Sequence, residues 1–209
     1  MKVFRFTSHV RNSVLFVFLL VSIFNGTTSQ AQPLKIQLKK DLRKEHPRLM
    51  FTIADQQRIE ALAKEDTLLQ KLMDILFEQA NQFLSEPTIT YKLVGPRPRL
   101  LSTSRACLTK VLTLSTAYRL SGDLKFAQRA VEEMHTAMEF PDWNPSHFLD
   151  VGEMSTALAI GYDWLFDVLS PEDKQSIKTA LVNFALEPGL SVHPDRFRNK
   201  FNNWSNLRE

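Results

Sequence analysis

Residues 148–184 read FLDVGEMSTALAIGYDWLFDVLSPEDKQSIKTALVNF, and this stretch decides the fold. From Val151 to Leu169 the apolar residues Met154, Ala157, Leu158, Ala159, Ile160, Tyr162, Trp164, Leu165 and Phe166 fall at every helical angle. A helix apolar nearly all round has to be enclosed by other helices. Asp150, Glu153, Asp163 and Asp167 interrupt the run, which is too short and too polar to span a membrane. In the second half, Ile177, Ala180, Leu181 and Phe184 form one stripe, and Lys174, Gln175, Lys178 and Asn183 lie off it. Between the halves, Ser170 is placed to cap a helix that begins at Pro171, with Glu172 and Asp173 in its first turn. The stretch therefore predicts an αα-hairpin, an inner helix followed by a one-faced outer helix.

The same order occurs upstream. Leu108, Val111, Leu112, Leu114, Ala117, Tyr118 and Leu120 give a wide apolar surface from about Ser102 to Ser121, Gly122 is the helix breaker, and Asp123 can cap the next helix. Ala127, Ala130, Val131, Met134, Ala137 and Met138 then make a one-faced helix ending before Pro141. Nearer the start, Thr52 and Asp55 form a capping box for a short helix with Ile53, Ile59 and Leu62 on its buried side. A longer helix from Thr67 carries Leu68, Leu69, Leu72, Ile75, Leu76 and Phe83. Residues 87–99, with Pro96 and Pro98, read as an extended piece and an exposed loop. A third inner helix would start near Asn203, after the loop EPGLSVHPDRFRNKF. Start-to-start spacings of about 46 and 55 residues predict stacked helical hairpins. The expected fold is all-α, an incomplete (α/α) toroid over residues 47–209.

The first 31 residues read as a secretory signal peptide: Lys2, Arg5 and Arg11, an apolar run from Ser13 to Phe24, and a small-residue end at Ala31. Residues 32–46 form a polar lead-in. Three of the 26 Lys and Arg residues and none of the 23 acids lie in the signal, so the rest of the chain is charge-balanced and a nucleic-acid partner loses its compositional support. Export predicts a periplasmic or secreted protein, with no membrane attachment after cleavage. The lone Cys107 excludes an internal disulfide framework and reads as a buried thiol. His46, His135, His147 and His193 lack ligand spacing, and there is no glycine-rich phosphate loop, so neither a metal nor another cofactor is expected.

Several segments together resemble the heparinase II/III-like polysaccharide lyases. They are Phe148-Leu149-Asp150-Val151-Gly152-Glu153-Met154, Ala159-Ile160-Gly161-Tyr162-Asp163-Trp164-Leu165-Phe166, the Ser170-Pro171-Glu172 turn and Asn202-Asn203-Trp204. His46-Pro47-Arg48-Leu49 and Ala117-Tyr118-Arg119-Leu120-Ser121-Gly122-Asp123 are similar to earlier parts of the same domain. The resemblance covers about residues 46 to 206; Ser205-Asn206-Leu207-Arg208-Glu209 departs from the family pattern. It implies a toroid followed by a β-sandwich domain, and β-elimination on acidic, uronate-containing polysaccharide. The proton on C5 is hardly acidic while the neighbouring carboxylate keeps its charge, so groups bonded to that carboxylate stabilise the enolate-like transition state. A base then removes the proton and an acid protonates the leaving oxygen.

By the resemblance Asn203 is the candidate carboxylate neutraliser and Asn202 the second candidate. The family's Tyr would fall past Glu209, which leads to the expectation that these residues alone are the inactive N-terminal part of a longer lyase. Trp143, Asn144, His147 and Glu153, at the start of an inner helix, are the candidate sugar contacts, with Trp204 beside the Asn pair. An exposed Trp would stack on a sugar ring while Asn and His bond its hydroxyls. Two other classes fit the same periodicity: an α/α-barrel glycoside hydrolase using Asp150 and Glu153 as acids, and a helical-repeat binding module.

Overall fold

The structure, a computed structural model, describes residues 43–191. The signal segment, most of the lead-in, and Asn202, Asn203 and Trp204 lie outside the described residues. Those described are all-α. The helices are α1 (Ile53–Leu62), α2 (Thr67–Ser85), α3 (Leu101–Ser121), α4 (Leu124–Met138), α5 (Phe148–Trp164) and α6 (Pro171–Leu181). A π-helical turn, Val182–Leu186, joins α6 to α7 (Glu187–Ser191).

Local chemistry sets the helix ends. Thr52 and Asp55 bond reciprocally before α1, and Ser170 and Asp173 do the same before α6, where Pro171 occupies the first turn. Asp66 and Asp123 accept first-turn N–H groups of α2 and α4. Gly122 ends α3 at φ 72°, a conformation that costs a residue without a Cβ nothing. The π turn sits just before Pro188, whose missing N–H and bulky ring disturb the hydrogen-bond register of the turn that precedes it. The chain is thus helical through Ser191, where the sequence pattern predicted a loop from Glu187.

The long helices form two layers. Hydrogen bonds tie Leu100 to Asp150 and Ser104 to Glu153 at one end, and an ion pair ties Arg119 to Asp167 at the other, so α3 and α5 run parallel, side by side. The helix α4 returns antiparallel between them in sequence and lies in the second layer. Arg129 reaches the Phe83 and Glu86 carbonyls, and His135 meets Asp173, which places α2 and α6 on either side of α4 and parallel to it. Val111, Leu114, Ala130, Met134, Met154, Leu158 and Ile177 fill the space between the layers. Gly161 marks a close approach of the layers: a Cβ there would overlap Met134 Sδ and lie 2.9 Å from Val111 Cγ1. Cys107 is buried in the same core, and desolvation, aided by the Glu133 charge, pushes its thiol up to about 12.

Buried carboxylates fasten the irregular segments to this frame. Asp163 accepts from His46 Nδ1 at 2.6 Å and from the Arg48 and Leu49 N–H groups at 2.7 Å each. Glu133 accepts from the Ile89 N–H and Arg129 and forms an ion pair with Lys110. Near the layer edge, burial acts to raise the Asp173 pKa, but hydrogen bonds from His135 and Ser170 outweigh it and hold the carboxyl below the usual aspartate value.

Two expectations about apolar faces fail. Ile53 and Leu62 of α1 are about half exposed, and no residue of α1 is buried. On α2 only Ala80 and Phe83 are buried, while Leu68, Leu72 and Ile75 face out. Apolar spacing shows that a helix has one face to bury, but the segments packed against it decide how much of that face is covered. Helix α5 is not enclosed all round either, since Gly152, Ser155, Ala159 and Tyr162 line a half-buried strip. Tyr162 packs edge-on against His46 and Phe166 rather than deep in the core.

Candidate functional site

The parallel packing of α3 and α5 brings their N-terminal ends together, and the loops 87–100 and 139–147 meet there. Two features pin the first loop. Val94 and Arg99 exchange backbone hydrogen bonds of 2.9 and 3.1 Å around Gly95, which takes φ 92°. Past that turn, the Pro98 carbonyl accepts from Asn144 Nδ2 at 3.1 Å and the Leu100 N–H donates to Asp150 Oδ2 at 2.7 Å. The hairpin is therefore bonded to the start of α5 from both the chain and the side-chain direction.

Asp150 is the centre of this end. It is wholly buried, and its Oδ2 accepts from Leu100 and Asn144 while its Oδ1 faces His147 Nδ1 at 2.8 Å. Asn144 adopts φ 54° and is committed on every side, since its Oδ1 also accepts from Ser146. Its amide is a strut of the loop and not a free sugar ligand. Trp143 differs more sharply from the expectation. It has no exposed surface, its indole N–H donates to the Ala137 carbonyl at 3.0 Å, and its ring meets Phe184 edge-on. An indole so enclosed cannot stack on a sugar ring; the apolar ring is worth more in the core.

His147 and Glu153 keep access to solvent. The imidazole is partly exposed, with Nδ1 engaged by Asp150 and no hydrogen bond to Nε2 among the described residues. Glu153 Oε2 accepts from Ser104 at 2.6 Å, and Oε1 pairs with Arg105 Nε at 3.2 Å. Beside them Tyr91 donates to Asp142 at 2.9 Å; burial and that hydrogen bond raise its pKa. The occupied oxygens of Asp150 remove it as the proton donor that a glycoside hydrolase would need.

Sequence reasoning passed over the cations of this end. No acid occurs between Glu86 and Asp123, and within that span Lys92, Arg97 and Arg99 of the hairpin are exposed and in no ion pair among the described residues. The one-sided charge was visible in the sequence; its position beside His147 was not. An open concavity of about 360 Å³ lies elsewhere, in the outer layer between α4 and α6, over Met138, Ala180 and Phe184. Among the described residues no group of His, Cys, Asp or Glu side chains is arranged to hold a metal, and no helix is long and apolar enough to cross a membrane. No protein-family model matches the chain, and no curated protein matches it.

Proposed function

We propose that this chain is the N-terminal toroid portion of an exported polysaccharide lyase that cleaves uronate-containing polysaccharide by β-elimination. The observation that carries the reading is the parallel pairing of two inner helices, each followed by an antiparallel outer helix, with polar loops gathered at one end. Continued stacking of such hairpins bends into a toroid whose inner helix starts ring a groove. The residues that carry the family resemblance also have specific structural work in this arrangement. Asp150 and Glu153 organise the loop end, Gly161 sets the helix contact, and Asp163 and Trp164 hold the His46–Leu49 segment. In this reading Asn203, with Asn202 as the alternative, hydrogen-bonds the uronate carboxylate next to the carbon that loses its proton, and Trp204 borders the sugar.

The test is ultraviolet absorbance of the unsaturated uronate product when the protein, as its gene encodes it, is incubated with heparan, alginate or related polymers. Asn203→Ala should lower turnover by about a hundredfold or more, as loss of a charge-stabilising donor does, with the thermal melt unchanged. Full turnover in that variant would remove Asn203 from the site. New reducing ends without absorbance would favour hydrolysis, and binding without either product would favour a binding module.

A further inference from the structure

The hairpin of residues 92–99 carries three cations, and nothing in the described structure neutralises them. Lys92, Arg97 and Arg99 are exposed, and Arg105 on α3 spends only its Nε on Glu153, leaving its terminal nitrogens without a described partner. A solvated surface usually mixes both signs, whereas here no acid occurs in the rest of the loop or in all of α3. The hairpin is also held in place, by its own backbone pair and by the bonds from Pro98 to Asn144 and from Leu100 to Asp150. Fixed cations at the rim of a groove attract and orient an anionic polymer at little ordering cost.

The neighbouring imidazole adds chemical selectivity. A carboxylate only accepts hydrogen bonds, so with a neutral imidazole the Asp150 contact puts the proton of His147 on Nδ1 and leaves a lone pair on Nε2. That nitrogen suits a hydroxyl donor and not a carboxylate. We propose that this end of the inner helices is an acidic-oligosaccharide subsite. Arg97, Arg99, Lys92 and Arg105 hold the uronate carboxylates, His147 accepts a sugar hydroxyl through Nε2, and Asp150 is the positioning residue for His147. The proposal rests on the acidic-polysaccharide reading of the protein and names the residues that select the substrate. Among the described residues of this end, Trp143 is enclosed and Tyr91 is half-buried with its hydroxyl on Asp142, so neither ring offers an open face to stack a nucleobase.

Calorimetric titration of the full chain tests it, with uronate oligosaccharides, their carboxyl-reduced counterparts and a single-stranded oligonucleotide of equal charge. Arg97→Gln with Arg99→Gln, both at exposed positions, should weaken uronate binding more than tenfold and leave the weak binding of the reduced sugar unchanged. His147→Gln should weaken both sugars by about three- to tenfold. Asp150→Asn should shift the imidazole ¹⁵N resonances to the other tautomer, and the thermal melt of each variant separates loss of contact from loss of fold. Equal affinity for the oligonucleotide, or undiminished uronate affinity in the double variant, would overturn the proposal. If the native protein still eliminates uronate in that case, only the subsite assignment fails; if no uronate polymer binds or reacts, the lyase reading fails with it.

Discussion

Removing the Asp163 carboxylate should release the segment that precedes α1. Asp163 is 2% exposed and receives three hydrogen bonds from residues more than a hundred positions away, His46, Arg48 and Leu49, with the Arg48 Nε a further 3.8 Å from Oδ1. Hydrogen bonds to a charged group contribute roughly 1.5–3 kcal/mol each. Three such bonds set an upper bound that Asp163→Ala will not reach, because Arg48 and Leu49 are partly exposed and their N–H groups can return to water once the segment lifts. The loss is then limited to what docking that segment contributes, including the indole bond from Trp164 to the Leu49 carbonyl and the stack of His46 on Phe166, with centroids 3.8 Å apart. We expect about 3–5 kcal/mol, the range for breaking one partner out of a buried charged cluster. For a domain of this size that lowers the melting temperature by roughly 6–20 °C. Asp163→Asn should lose less, because the amide oxygen can still take both backbone N–H groups while its NH₂ faces His46. Urea and thermal unfolding give the magnitude, and limited proteolysis should show new cleavage before α1 in the Ala variant. A loss under about 1 kcal/mol, with cleavage unchanged, would refute the view that Asp163 fastens this segment.

Two further perturbations test the packing and the electrostatics. Gly161→Ala places a methyl group against Met134 and Val111, so overpacking of roughly 1–3 kcal/mol should exceed the gain of about 1 kcal/mol in helix propensity; Gly161→Val should cost more, and trimming Met134 to Ala in the same chain should recover part of the loss in urea unfolding. Asp173 is held below the usual aspartate value in the folded chain, so its contribution to stability is fully present above the unfolded value near 3.8 and is lost as pH falls through the lower folded value. The gap in urea midpoint between wild type and Asp173→Asn should therefore narrow as pH falls through the carboxylate range; a gap unchanged across that range would contradict the His135 and Ser170 bonds as its source.

Much of the frame was legible because it depends on local chemistry. The capping box at Thr52, the Ser170 and Asp123 caps and the Gly122 stop are decided within a few residues, and each occurs where the sequence places it. The inner and outer periodicities of 102–140 and 148–184 were legible for the same reason. What failed required knowledge of neighbours. Leu68, Leu72 and Ile75 have helical spacing, yet the layer beside them buries the other side of α2 through Ala80 and Phe83. Trp143 stands in a polar loop and still belongs to the core, because the loop folds its indole onto the end of α4 and against Phe184 of the π-helical turn.

Charged residues at core positions are informative in a more general way. Glu133 sits on the apolar stripe of α4, one turn from Ala130 and Ala137, and Asp150 sits on that of α5, one turn from Met154. A carboxylate at a core position is costly unless it is hydrogen-bonded, so its presence there already implies a donor from elsewhere in the chain. Each such acid therefore marks where an irregular segment must deliver N–H groups, as Ile89 does to Glu133 and Leu100 does to Asp150. The same acids that have the chemistry of candidate catalysts thus serve to hold loops. The groups left free to meet a ligand are the ones these staples position, His147 on Asp150 and the cationic hairpin between Ile89 and Leu100. In the proposed subsite this end of the molecule presents cations and a lone pair to an acidic sugar, while proton transfer in the proposed reaction falls to other residues.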